Sequence, residues 1–388
     1  MISPGLHRFP LMDRVVHGQP AAAAVRAEAD RLDRRRVFLI TNRSLAQTPL
    51  VAGIAAALDG RHAGSFAGVS AHGPRQCVID GAAAARAADA DLLVAIGGGS
   101  VVDAAKVMQL CLRHGITEAA ALSRHTGSGR ADPSTRPSDA DRWIRVIAVP
   151  TTLSAAEFTW FGGASDPARG VKESFSHPMM IPQAIVMDPQ MTMATPTRLL
   201  LTTGMKAVDH AAERLASLKS NPYNDAVSSL ALRLLSQGLR SAKRDPSDID
   251  ARAELQYGAF MSMCGSAAGV AVGIGHAIGH ALGAHCSVPH GETSCVMLPA
   301  VMRWNAGSNP GRQELIAGAM GRPGDGAAPA LAELVAELGL PMRLRDVGVT
   351  RQDFVPVAGK ALGDMLVKNN PRPVRSAADI EEILELAW

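Results

Sequence analysis

DLLVAIGGGSVVDAAK, residues 91–106, is the stretch that decides the fold. Leu92 to Ile96 are uninterrupted apolar residues, the pattern of a strand buried on both faces. Gly97, Gly98 and Gly99 end it, and Ser100 opens a helical run that closes at Gly115. Three glycines let the backbone approach a ligand closely. The new helix turns free N–H groups and the positive end of its dipole toward that ligand. Strand, glycines and helix in this order read as a phosphate cradle, although the pattern is not GxGxxG. Ser100 can cap that helix or bond a phosphate oxygen, and Asp103 three residues on completes a capping-box-like pattern in a dipole-stabilised position.

Working outward, the same alternation recurs. RVFLIT (36–41) reads as a buried strand, Asn42-Arg43-Ser44 as a turn, and SLAQTPLVAGIAAAL (44–58) as one helix. SFAGVSA (65–71) and RWIRVIAVP (142–150) read as strands, CVIDGAAAARAA (77–88) as a helix, and PQAIVMDP (182–189) as the last strand. Residues 123–142, rich in Ser, Gly, Pro and Asp, read as a long surface loop. Strands alternating with helices predict βαβ units and a parallel sheet. Thr151, Thr152 and Ser154 follow directly on a strand, at the sheet end where ligands bind in such folds. Beyond about residue 190 the chain carries helical periodicity throughout, so an α/β domain over 1–189 and an all-helical domain over 190–388 are expected.

The helical half contains GIGHAIGHALGAHCSVPHG (273–291). His276 and His280, four apart, share a helix face, and His290 is expected to return to the same pocket from a loop after Pro289. Gly275, Gly279 and Gly283 weaken a helix by about 1 kcal/mol each against Ala. Their presence predicts a backbone held close to another helix or a ligand. Upstream, Lys206 and His210 form a second pair at the same spacing. Two such helices and one further histidine can build a metal or proton-transfer site.

Composition bounds the function. The 388 residues are 47% hydrophobic and 19% charged, with a net charge of +3. That balance contains no basic block of the kind that binds nucleic acid. Five cysteines without a CxxC pair predict reduced thiols. Neither a signal peptide nor a membrane span is expected, and a cytoplasmic location follows as the expectation.

GGGSVVDAAK, PTTLSAAEFT, GMKAVDHAAE and GHAIGHALGAHCSVPHG occur in the order found in the iron-containing alcohol dehydrogenases, and the chain resembles that family over its whole length. The resemblance implies a Rossmann-like N-terminal nucleotide domain, a helical C-terminal domain and an active site in the cleft between them. It implies that Gly97, Gly98, Gly99 and Ser100 hold the pyrophosphate of NAD(P), with Asp103 close by, and that Thr151, Thr152 and Ser154 line the cofactor cleft. Asn42 stands where many members carry an acidic residue that favours NAD, so NADH and NADPH both stay open. PHGET at 289–293 and NNPRP at 369–373 are similar to the maleylacetate reductase branch. By that likeness Arg372 is a candidate for a substrate carboxylate, the substrate is a small carboxylic acid, and a homodimer is expected.

One position departs from the family. Metal-dependent members bind iron or zinc with an Asp and three histidines. His210, His276 and His290 fill the three histidine positions, but Lys206 stands in place of the Asp. An ammonium repels a dication by about 4 kcal/mol per unit-charge pair at 4 Å and an effective dielectric of 20. A site without catalytic metal is therefore expected, with Lys206 supplying the positive charge and His280 the proton. The alternatives are a metal-dependent alcohol or aldehyde dehydrogenase, a catalytically silent nucleotide-binding protein, and a lyase of the dehydroquinate synthase type.

Overall fold

The computed structural model describes residues 5–71, 73–127 and 132–388. Two compact units are present, Arg8–Thr195 and Pro196–Trp388, and the described residues before Arg8 group with the second. No described helix is long and apolar enough to cross a membrane.

Among its described residues the first unit carries eight strands: β1 (Arg14–His17), β2 (Val37–Ile40), β3 (His62–Phe66), β4 (Leu92–Gly97), β5 (Arg145–Pro150), β6 (Phe161–Asp166), β7 (Val171–Ser176) and β8 (Ala184–Met187). Six of them form a sheet in the order β1-β8-β5-β4-β2-β3, parallel throughout. Five helices flank it: α1 (Ala21–Arg31), α2 (Arg43–Ala46), α3 (Pro49–Leu58), α4 (Arg75–Ala87) and α5 (Gly99–His114). Strand alternation sends Phe38 and Ile40 into one apolar layer with Met108, and Val37 and Leu39 into another with Ile54 and Leu58. Both faces are thus covered, which is why the central strands read as unbroken apolar runs.

Two expectations need correction. The helix expected over 44–58 breaks into α2 and α3 at Pro49, which occupies the first turn of α3, where its missing N–H is harmless. β3 runs over His62–Phe66 rather than 65–71, because pairing with β2 extends a polar, glycine-containing segment that local pattern does not favour. β1 and the antiparallel β6–β7 hairpin carried no sequence signal, the latter because FGGASD is short of β-formers. Residues 128–131 of the expected loop lie outside the described residues.

The second unit contains α6 (Thr197–Ala216), α7 (Pro222–Arg244), α8 (Ile249–Cys264), α9 (Ile274–Cys286), α10 (His290–Asn305), α11 (Pro310–Ala319), α12 (Ala327–Leu338), α13 (Phe354–Leu362) and α14 (Ala377–Leu386). No strand occurs among its described residues. α9 and α10 pack around one apolar core with α13 and α14. α6 meets α10 so closely that a Cβ on Gly291 would lie 2.7 Å from the Thr202 carbonyl oxygen.

Candidate active site

In the first unit the site is the turn between β4 and α5. Gly98 occupies the cap position, so α5 begins at Gly99 and Ser100 lies inside its first turn. The capping box expected of Ser100 and Asp103 does not form. No side chain caps α5, and Asp103 pairs with Lys172 at 3.3 Å. The glycines answer to a neighbouring loop. A Cβ on Gly98 would fall 2.9 Å from Thr152 Cγ2, and one on Gly99 2.9 Å from Ser154 Oγ. Gly97, at φ +158°, would drive a Cβ to 2.6 Å from Val101.

The junction after β5 therefore lies directly on the junction after β4. Thr151 N–H donates to the Gly97 carbonyl at 3.1 Å, and the Thr151 carbonyl accepts from Thr195 Oγ1 at 2.7 Å. The hydroxyls of Thr152 and Ser154 are buried without partners. Orphaned hydroxyls beside a glycine turn that opens a helix fit the oxygens of a phosphate. Asn42, at the same end of the sheet, caps α2 by accepting from Leu45 N–H at 2.9 Å, and Arg43 beside it is exposed.

Lys106 and Glu157 escaped the sequence reading. Lys106 Nζ donates to the Ala156 and Phe161 carbonyls at 2.6 and 2.9 Å, tying α5 to the segment after the Thr152–Ser154 loop. Burial lowers its pKa to about 8, against the pull of Asp103 and Glu157. Burial raises Glu157 to about 7, and Glu157 Oε2 has no partner.

In the second unit α6 presents Lys206, Asp209, His210 and Glu213, α9 presents His276 and His280, and His290 is the first residue of α10. His290 thus opens a helix after Pro289 instead of hanging from a loop. The rings of His210 and His276 stack at 5.0 Å, and those of His280 and His290 at 5.5 Å. His276 and His290 meet edge to face at 6.4 Å, so all four expected histidines are gathered in one cluster.

Carboxylates hold this cluster. Glu213 Oε2 accepts from His276 Nδ1 at 2.5 Å, and the same carboxylate accepts from the N–H groups of Gly273 and Gly275 at 3.1 and 2.8 Å. The close approach forecast by Gly275 is therefore to Glu213. Asp209 Oδ2 accepts from Ser294 Oγ at 2.7 Å and pairs with Lys206 at 3.4 Å. Asp364 bonds His280 Nδ1 at 2.8 Å. Glu213 lies seven residues after Lys206 on the same helix, and that spacing was its one sequence signal. Asp364 had none.

Burial sets the charge states. It lowers Lys206, with Asp209 and Glu213 opposing, and it holds His210 and His276 well below the usual imidazole range, helped by the Lys206 charge. Burial raises Glu213 against its backbone donors. For Asp364 burial acts upward, but the His280 ring and Leu366 N–H outweigh it and the net shift is down. His210 Nδ1, His276 Nε2 and Asp209 Oδ1 remain buried without partners.

Arg372 is engaged elsewhere. Its guanidinium lies 3.8 Å over the Trp304 ring, donates to the Trp304 carbonyl at 3.2 Å and sits 3.6 Å from Glu382. The expected free fork for a substrate carboxylate is thus taken up in packing. Asn370 beside it forms a reciprocal amide pair with Asn305, which fixes the NNPRP segment to α10.

Residues 13–189 match the iron-containing alcohol dehydrogenase model, and residues 200–388 match the model of the C-terminal part of the same family. The chain belongs to the iron-containing alcohol dehydrogenase family. It is similar to a maleylacetate reductase of Sphingobium indicum, at 32% identity over 94% of this chain and 92% of that one. The solved maleylacetate reductase of Agrobacterium tumefaciens superposes with a TM-score of 0.82 at 27% identity, covering 100% of this chain and 99% of the other. The iron-containing alcohol dehydrogenase of Corynebacterium glutamicum gives 0.83 at 25% identity, over 99% and 97%. The protein is a maleylacetate reductase-like, NAD(P)-dependent oxidoreductase of this family.

The iron or zinc that the family implies fits this donor set poorly. Asp209, Glu213 and His276 bring three ligand atoms within 4.8 Å of one another, but His276 Nδ1 is bound to Glu213, and Asp209 Oδ2 to Ser294 and Lys206. A dication there would face the Lys206 ammonium in a buried site, where like charges are weakly screened.

Proposed function

We propose that the protein reduces a small unsaturated or keto carboxylic acid with NADH or NADPH, as a maleylacetate reductase does, and that no catalytic metal takes part. The observation that carries this reading is Lys206, buried among the histidines and paired with Asp209 at 3.4 Å. The nicotinamide, when bound, supplies hydride. The Lys206 ammonium stabilises negative charge developing on the substrate oxygen, worth most where solvent is excluded. His280, held through Nδ1 by Asp364, presents its other ring nitrogen as proton donor. His210, His276 and His290 orient substrate oxygens. Glu213 holds the Nδ1–H tautomer of His276 and leaves Nε2 free to accept.

In the first unit the Gly97–Ser100 turn takes the pyrophosphate, Thr152 and Ser154 donate to its oxygens, and Asp103 stays on Lys172. Asn42 carries no charge to repel a 2′-phosphate, which leaves NADPH as acceptable as NADH.

Oxidation of NADH and of NADPH, followed at 340 nm with maleylacetate and related keto acids before and after chelation, tests the proposal. Turnover that survives chelation, in protein holding far less than one iron or zinc per chain, is expected. Activity lost on chelation and restored by either metal overturns it in favour of a metal-dependent dehydrogenase.

A further inference from the structure

At the end of the sheet where the parallel strands begin, a cavity of about 150 Å³ is lined by Arg34, Arg136 and Arg145 together with Asp141, Trp143 and Gln183. Arg145 is the first residue of β5, and the glycine turn adjoins that strand's last residue through the Gly97–Pro150 pairing. At about 3.3 Å per residue the two ends of β5 lie roughly 17 Å apart. The cavity is therefore separate from the nucleotide end of the sheet.

Arg145 is 6% exposed. Its Nη atoms reach the carbonyls of Leu11 and Ile181 at 3.1 and 2.9 Å and the Met179 sulfur at 3.4 Å, while its Nε has no partner. Among the described residues it makes no ion pair, and the opposing charge acting on it is Asp13. Burial lowers its pKa to about 10, and Arg136 adds to the strain while Asp13 relieves it. Arg34 Nε is likewise buried and unpartnered, and so is Gln183 Oε1. The carboxylates nearby are committed, Asp141 to Arg136 at 2.7 Å and Asp13 to Arg31 and Gln183.

A buried guanidinium without a counter-ion is costly, and water can satisfy the N–H groups of Arg145 and Arg34 without neutralising their charge. An oxyanion does both, through charge-assisted bonds to the guanidinium forks. The volume suits one phosphate, sulfate or short carboxylate and excludes a nucleotide. We propose that this cavity is an anion-binding site, distinct from the cofactor's pyrophosphate turn, that takes a small oxyanion between Arg34, Arg136 and Arg145. Gln183 Oε1 accepts from a protonated oxygen of that anion or from a water beside it.

Calorimetric titration of the full chain with inorganic phosphate tests this, at constant ionic strength balanced with chloride and with NADH saturating so that the pyrophosphate turn is filled. One phosphate per chain is expected. Arg34→Gln and Arg136→Gln, on the accessible rim, should each weaken it about tenfold or more, the scale of one charge-assisted hydrogen bond. Arg145→Met should abolish it. NADH turnover should stay within about twofold in the two rim variants, since neither residue touches the reacting groups. Sulfate and malonate run in place of phosphate identify which oxyanion the cavity prefers. No heat beyond that of matched chloride, or phosphate binding unchanged in both rim variants, overturns the proposal.

Discussion

In the proposed mechanism the chemistry turns on Lys206. It lies on α6 one turn before His210, and its ammonium is held by Asp209 in a buried cluster. Lys206→Ala should cut kcat by roughly 10²–10³, the magnitude seen when an oxyanion donor is removed. Steady-state kinetics with the preferred acid check this, and an unchanged kcat would remove Lys206 from the mechanism. Asp364 acts through another residue, fixing His280 at 2.8 Å. Asp364→Asn should lower kcat and leave cofactor affinity unchanged, because the His280 ring loses the acceptor that fixes its tautomer and orientation. A purely structural role would lower stability and cofactor affinity together without a selective loss of kcat. The histidines and Lys206 were legible because i and i+4 positions share a helix face whatever surrounds them. Asp364 was not, because its contact with His280 spans 84 residues of chain.

At the scale of elements, the β4–α5 junction owes its shape to contact with the β5 junction. Here Glu157 and Lys106 lie buried beside the glycine turn, and burial raises Glu157 to about 7. A raised folded-state pKa means that the native protein holds the proton longer than the unfolded chain. The stability it contributes is complete below about pH 4.5 and is lost as pH rises toward 7. Over that window the wild type should lose stability relative to Glu157→Gln, which keeps the shape without the titration. Melting temperatures of the two proteins every half pH unit provide the check, and parallel curves would contradict it. The glycine turn was readable from sequence, since apolar run, three glycines and helix are all local signals. The break at Pro49 was equally local, and the hairpin of β6 and β7 was illegible because its residues have little intrinsic β preference.

At the scale of the whole molecule, each unit is organised around a different periodicity, alternation in the sheet and 3.6-residue stripes in the helices. In the helical unit α6 and α10 approach through Gly291 against the Thr202 backbone. A methyl group there meets a carbonyl oxygen that no rotamer change can move. Gly291→Ala should destabilise this unit by about 1–3 kcal/mol or more, the usual range for overpacking. Urea denaturation followed by circular dichroism measures it, and an unchanged midpoint would mean that the helices separate freely.

Local pattern in the chain was enough to set the two-part architecture, the glycine turn after β4, the histidine pairs and the presence of Lys206 where the family pattern has a carboxylate. All of these rest on local periodicity, on backbone freedom or on motif order. Long-range packing settled that Glu213 and Asp364 hold the imidazoles, that Ser100 is no cap, that Arg372 lies against Trp304, and that Arg145 lines a cavity without an ion-pair partner among the described residues. Those facts depend on which distant segments fold against one another. A residue's charge is written in the chain, but its partner is chosen by packing.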